Sequence, residues 1–266
     1  MSYVSIYANQ AEINGINPNP GDIVLRSSDN MLLLWSGSQW KEFEPDAGVP
    51  FSNSYSTTFD GSTNTVSVGD VFSLSNSNAF TVSAHFKANT ANGYIFGFRG
   101  FYARIEPSGG IFGRIDRVYT WSNSGSGQQY YGLGNWHHIV VVWDSPSIIC
   151  YIDGNEIINV QPGGPATTGA DNGNSLHIGS HYAGSVGKFN GKIDDVAIWS
   201  KALSPTEVST ITPSPTNLAE TQPTNLQHWW RMGDADDING NTITDQVGNL
   251  DATTSQSGQF STDTPN

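Results

Sequence analysis

"GKIDDVAIWSKALS", residues 191–204, decides how this chain is read. Apolar residues recur along it with the two-residue period of a β-strand that buries one face. Two carboxylates, Asp194 and Asp195, interrupt the pattern just where the apolar run begins. Strict alternation puts Asp194 on the face of Val196 and Ile198, toward the core, and Asp195 with Ala197 and Trp199 on the less buried face. A carboxylate at an apolar face is costly unless backbone donors, a cation or a metal compensate it, so Asp194 needs a partner and Asp195 does not. The strand runs into a helix signal. Ser204 as N-cap, Pro205 at the first helical position and Glu207 three residues after the cap form a capping box for a short helix from 205 to about 211.

Working outward, similar strand signals recur. "YSTTFDGSTNTVSVGD" (55–70) is followed by "AFTVSAHFKANT" (79–90), "GYIFGFRG" (93–100), "FYARIEP" (101–107) and "IFGRID" (111–116). Then come "NWHHIVVVWD" (135–144), "SIICYIDGNEI" (147–157) and "LHIGSHY" (176–182). Short apolar runs separated by Gly/Asn/Ser/Asp clusters predict an all-β, two-sheet antiparallel sandwich. "LQHWWRMGD" (226–234) lies beyond a Pro/Thr/Ser-rich connection and has too little chain around it to fold alone. It is expected to return to the same sandwich.

Residues 1–48 read as a separate small β-module, with strands near 22–26, 31–35 and 39–43. So small a sheet cannot cover Trp35, Trp40 and Phe43 by itself, which predicts packing on the main domain, a partner or copies of itself. Residues 49–266 form the sandwich.

Composition narrows the function. The chain has 266 residues, 29 of them glycine, and a formal net charge of −13 with only 11 basic residues. So few, thinly spread cations argue against gripping a nucleic acid backbone. The single cysteine, Cys150, excludes an intrachain disulfide framework and reads as a small buried strand residue. No run is long enough for a transmembrane helix, so no membrane insertion is expected, and "MSYVSIYANQ" lacks the basic and apolar regions of a signal peptide. The expectation is a protein that assembles in a cytoplasm and leaves by lysis or stays there.

Two resemblances add to this reading. "FDG" (59–61), "FTVSAHF" (80–86), "WHHIVVVWD" (136–144), "YIDG" (151–154) and "GKIDDVAIWSKALS" recur in the order seen in laminin-G-like, concanavalin A-like jelly rolls. "HWWRMGD" followed by "TITDQVGNLDAT" (242–253) resembles the closing strand and tail of versions common in marine phage virion proteins. "GDIVLRSSDNMLLLWSGSQW" (21–40) is similar to short β-modules of bacteriophage tail fibres, found near attachment or trimerisation regions. The fold serves lectins, glycosidases and architectural modules alike.

The jelly-roll resemblance implies a structural calcium held by Asp60 of "FDG" and Asp194, with backbone carbonyls completing an oxygen shell. The alternative for both carboxylates is hydrogen bonding to loop amides with no ion. "GDADDINGN" (233–241) lacks the spacing and distal Glu of an EF-hand and reads as an Asx-turn loop. Glycosidases on this sandwich carry Glu-x-Asp-x-x-Glu along one strand; no such run is present, so the chain is read as no enzyme. His137 and His138 are adjacent in a strand and so face opposite ways, unable to share a metal, while His181 lies in a turn from which it could reach a ligand; for each, the alternative is a solvated or packed strand-end histidine.

For ligand binding, "RVYTWSNSGSGQQYYGLGNW" (117–136) stands out. Tyr119, Trp121, Tyr130 and Tyr131 offer flat faces for sugar rings beside amides and hydroxyls; the alternative places them at the rim of the core. Together these features imply a phage virion protein, a tail or head fibre or a capsid decoration. It would form a homo-oligomer, as a trimer, contact other virion proteins, and display a jelly roll for host-surface polysaccharide. A purely architectural virion protein and a bacterial adhesion module are the alternatives.

Overall fold

A computed structural model describes residues 5–7, 10–19, 22–26, 31–35, 37–43, 53–71, 78–98, 101–115, 119–122, 131–161, 175–181, 187–213, 217–222, 224–233 and 237–265. It divides into two compact units, Met1–Ser52 and Asn53–Asn266.

The first unit contains β1 (Ser5–Tyr7), α1 (Gln10–Asn14), β2 (Ile23–Arg26), β3 (Met31–Trp35) and β4 (Trp40–Phe43), with the strands ordered β1-β2-β3-β4. The meander β2-β3-β4 follows the turn signals; β1, which joins parallel to β2, and the short helix were not visible in the apolar pattern. Ile13, Val24 and Leu33 are buried at its centre. Trp35 pairs with Trp40 across the hairpin, ring centroids 5.3 Å apart.

The second unit opens with β5 (Ser56–Asp60), β6 (Val66–Asp70), β7 (Ala79–Ala88), β8 (Tyr94–Phe98), β9 (Phe101–Ile105) and β10 (Ile111–Ile115). It continues with β11 (Tyr119–Ser122), β12 (Trp136–Asp144), β13 (Ser147–Ile152), β14 (Asn155–Val160), β15 (Ser175–Ile178) and β16 (Asn190–Trp199). After α2 (Pro205–Ile211) and α3 (Leu218–Thr221) come β17 (Leu226–Trp230), β18 (Thr242–Ile243), β19 (Ala252–Thr254) and β20 (Phe260–Ser261). One sheet runs β11-β10-β9-β8-β15-β6-β19-β18; the other runs β14-β13-β12-β7-β16-β5-β20, with β17 also on β16. This is the two-sheet antiparallel jelly-roll sandwich. Phe59, Phe80, Phe86, Phe96, Phe101, Trp143 and Trp230 fill the space between the sheets. Cys150 is buried there, and burial pushes its thiol up.

Local chemistry explains the joints. Asp153 and Gly154 both take positive φ, as the two-residue turn between β13 and β14 requires. Ser204 Oγ accepts the Glu207 N–H while Glu207 reaches back to the Ser204 N–H, the capping box expected from the sequence. Val208 and Ile211 of α2 are buried.

Strand β16 departs from strict alternation. β7 pairs along one of its edges, while the other is shared by β5, opposite Asn190–Ile193, and β17, opposite Val196–Trp199. At this seam the register shifts between Asp194 and Ala197, and Asp195 takes φ 45°. The bulge inserts an extra residue, so Asp194 aligns with His85 rather than turning inward with Val196 and Ile198. The inward orientation expected for Asp194 is therefore corrected. So is the low burial expected for Asp195, which is only 4% exposed.

Candidate functional site

The partner of Asp194 is found at the seam. Asn53, just before β5, donates to Asp194 Oδ2 at 2.8 Å, and the Asp195 N–H donates to Oδ1 at 2.9 Å. Complete burial, and then the neighbouring Asp195, push the Asp194 carboxyl well above its usual range. Asp195 accepts from Trp229 Nε1 of β17 at 3.1 Å and from Asn53 at 3.3 Å. The doublet thus ties the chain before β5 to β16 and β17.

Asp60 is used differently. Its Oδ1 accepts the N–H groups of Ser62, Thr63 and Asn64 at 2.8–2.9 Å, and its Oδ2 accepts the hydroxyls of Ser62 and Thr63. Those bonds, outweighing a desolvation that acts the other way, hold its carboxyl far below the usual range. Asp60 pairs with Asn190, four residues along β16 from Asp194, a separation of about 13 Å by strand geometry. Ligands of one calcium lie about 2.3–2.6 Å from it, so these two carboxylates do not fit a shared ion. No group of three or more acidic, His or Cys side chains among the described residues is arranged to hold a metal.

On the same outer face as Asp195, His85 and His138 stack at 4.2 Å under α2 and α3. With Ser83, Asp195, Ile211 and Leu218 they line a cavity of about 10 Å³, room for one water. Burial lowers His85 to about 4 and His138 well below the ordinary value, so both are neutral at neutral pH. His137 faces the other way, as alternation requires, and packs on Phe86 and Tyr131.

Of the four aromatic candidates, Tyr131 is 7% exposed and belongs to the core, the rim alternative. Tyr119 and Trp121 lie in β11, opposite Ile115 and Gly113, so part of the expected loop is an edge strand. Their side chains, and all of Tyr130, fall outside the described residues.

A different aromatic surface is assembled by β8, β9, β10 and β15. In β9 the burial alternates so that Phe101, Ala103 and Ile105 face the core, and Tyr102 and Arg104 face outward. β10 repeats this with Phe112 and Arg114. The antiparallel register sets Arg104 opposite Phe112 and Tyr102 opposite Arg114. The result is a two-by-two square in which each arginine has an aromatic ring beside it along the strand and across it. Tyr94 extends the first row, while Gly97 and His177 extend the second; Gly97 leaves that place without a side chain. His181, after β15, closes the group against Tyr94 and Tyr102 at centroid distances of 4.9 and 5.7 Å.

The rings hold one another. Tyr94 meets Tyr102 edge-on at 5.1 Å, and Tyr102 lies 6.1 Å from Phe112. The Arg104 guanidinium sits 4.9 Å over Phe112 and 5.8 Å over Tyr94, contacts worth about 0.5–1 kcal/mol each at a partly exposed site. Arg104 Nη2 also reaches Glu106 at 3.3 Å, and Arg114 stands opposite Tyr102 across the strand pair. Burial, followed by the proximity of Tyr94, raises the Tyr102 hydroxyl, which stays protonated. Burial lowers His177 and His181, with Lys188 adding to the first and Arg104 to the second, so both rings are neutral at neutral pH. The buried Nε atoms of Arg104 and Arg114 and Nδ1 of His177 have no hydrogen-bond partner. Half-exposed ring faces with guanidinium groups beside them match the needs of a sugar ring and its hydroxyls.

Comparison with known proteins identifies the fold family. The pattern of the concanavalin A-like lectin/glucanases superfamily matches residues 60–209, more than half of the chain. The chain belongs to this superfamily. Its fold is similar to that of a candidate carbohydrate-binding protein from Bacteroides ovatus, with a TM-score of 0.60 at 15% identity over 89% of this chain and 68% of that one. It is also similar to a heptameric SAP-like pentraxin from Limulus polyphemus, with a TM-score of 0.53 at 16% identity over 78% of this chain and 97% of that one. Among curated proteins, no sequence matches significantly. As a superfamily member the chain carries a carbohydrate-binding-type jelly roll.

The Tyr94–Tyr102–Phe112 surface escaped the sequence reading, although its signal was there. "FYARI" and "IFGRI" place an aromatic residue two positions before an arginine on consecutive strands, which puts all four on one face.

Proposed function

We propose that the chain is a non-enzymatic carbohydrate-binding protein whose ligand lies on the outer face of β8, β9 and β10. The observation that carries this reading is the square of Tyr102, Arg104, Phe112 and Arg114, extended by Tyr94. It offers ring faces and two guanidinium groups on one face of the sheet. Binding rather than hydrolysis is supported by its acid, Glu106, which is engaged by Arg104 instead of standing opposite a second carboxylate. The carboxylate doublet Asp194–Asp195 is buried in structural hydrogen bonds.

The finer reading is a virion fibre or decoration protein that displays this jelly roll, with the Met1–Ser52 unit as its mount and oligomerisation element. It is supported by the phage-module resemblance of residues 21–40 and by the separate small sheet they form. Glycan-array binding by the full chain and by Tyr102→Ala tests the binding face. The variant is expected to lose at least tenfold in affinity with little change in Tm; unchanged binding by a folded variant overturns the assignment.

A further inference from the structure

We infer, building on the carbohydrate-binding reading, that the glycan recognised by this face is anionic, carrying carboxylate or sulfate groups. The chain is strongly acidic, and among the described lysines of the sandwich Lys87 and Lys192 share Asp263 at 2.9 Å and Lys201 pairs with Glu207, while Lys188 adds its charge beside His177 of the aromatic face. On the aromatic face the balance reverses. Arg114 stands opposite Tyr102 across the strand pair, and no carboxylate among the described residues is paired with it. Arg104 has one carboxylate partner, Glu106, through Nη2, and its Nε is buried without a partner.

A neutral sugar needs donors and ring faces but gains little from two guanidinium groups. Placing them half-buried beside aromatic rings costs desolvation that an anion offsets, because charge-assisted, bidentate bonds to carboxylate or sulfate are about twice as strong as neutral ones. Arg104 and Arg114 are diagonal neighbours on paired strands, about 7–8 Å apart. An extended anionic chain can therefore engage both while its rings lie on Tyr102 and Phe112. Glu106 competes with the ligand for Arg104.

The test uses the full chain and charge-matched polymers: polygalacturonate against its methyl ester, and dextran sulfate against dextran, within an array of neutral and acidic glycans. Calorimetry is expected to show at least tenfold tighter binding to an acidic member than to its neutral counterpart, weakening as salt is raised from 50 to 500 mM. Arg114→Gln should lose that preference, Arg114→Lys should keep part of it, and Glu106→Gln should bind more tightly. Preference for the carboxylated or the sulfated pair alone identifies which anion is read. Equal or better binding of neutral glycans, insensitive to salt, overturns the inference and leaves the carbohydrate-binding reading standing. Absence of binding to every glycan overturns both.

Discussion

At the residue scale, buried titratable groups set the pH response. His85 has a folded-state value near 4, below its ordinary 6.5, because burial disfavours the charged ring. Between those values the unfolded chain binds more protons than the folded one, so stability is full above pH 6.5 and falls as pH drops toward 4. The loss attributable to His85 is roughly 1–3 kcal/mol, since each unit of displacement corresponds to about 1.4 kcal/mol. Denaturant titrations across pH 4–7 check it, with His85→Asn expected to flatten the curve. Asp194 acts in the opposite sense. Its carboxyl is raised by burial and by Asp195, so its penalty grows as pH rises above the ordinary 3.8. Asp194→Asn removes that penalty, with Asn53 turning its amide to present oxygen. The variant should melt about 2–4 °C higher at pH 7, the shift that 1 kcal/mol produces in a domain of this size, and show no gain at pH 3.5. A lower Tm at pH 7 contradicts this role.

At the element scale, what could be read in advance depended on whether periodicity survived. The strands around "WHHIVVVWD" and "FTVSAHF" keep strict alternation, and so do the opposite orientations of His137 and His138. The α2 start was legible because a capping box is local chemistry. Replacing its cap, Ser204→Ala, should cost about 1 kcal/mol, read as a lower Tm. β16 was misread at one place because a bulge is decided by what pairs on each edge, and the division of that edge between β5 and β17 is long-range information. The aromatic face of β8, β9 and β10 was not legible for a related reason. Its residues come from separate strands, and a register was needed to bring Tyr102 opposite Arg114. Residues 117–136 have the higher aromatic density along the sequence, but Tyr131 proves to be core.

At the scale of the whole molecule, the two units have separate cores: Ile13, Val24 and Leu33 in one, the inter-sheet aromatics in the other. A chain beginning at Asn53 should therefore keep cooperative unfolding and glycan affinity while losing the self-association ascribed to residues 1–52. Light scattering and calorimetry of both forms check this, and lost affinity in a folded truncation would move the site. We assign sugar binding to the outer face of β8, β9 and β10. It is tested most directly by mapping backbone amide chemical shifts during titration with a bound oligosaccharide. The largest changes are expected at Tyr94, Tyr102, Arg104, Phe112 and Arg114; changes confined to residues 117–136, with those five unmoved, would overturn the assignment.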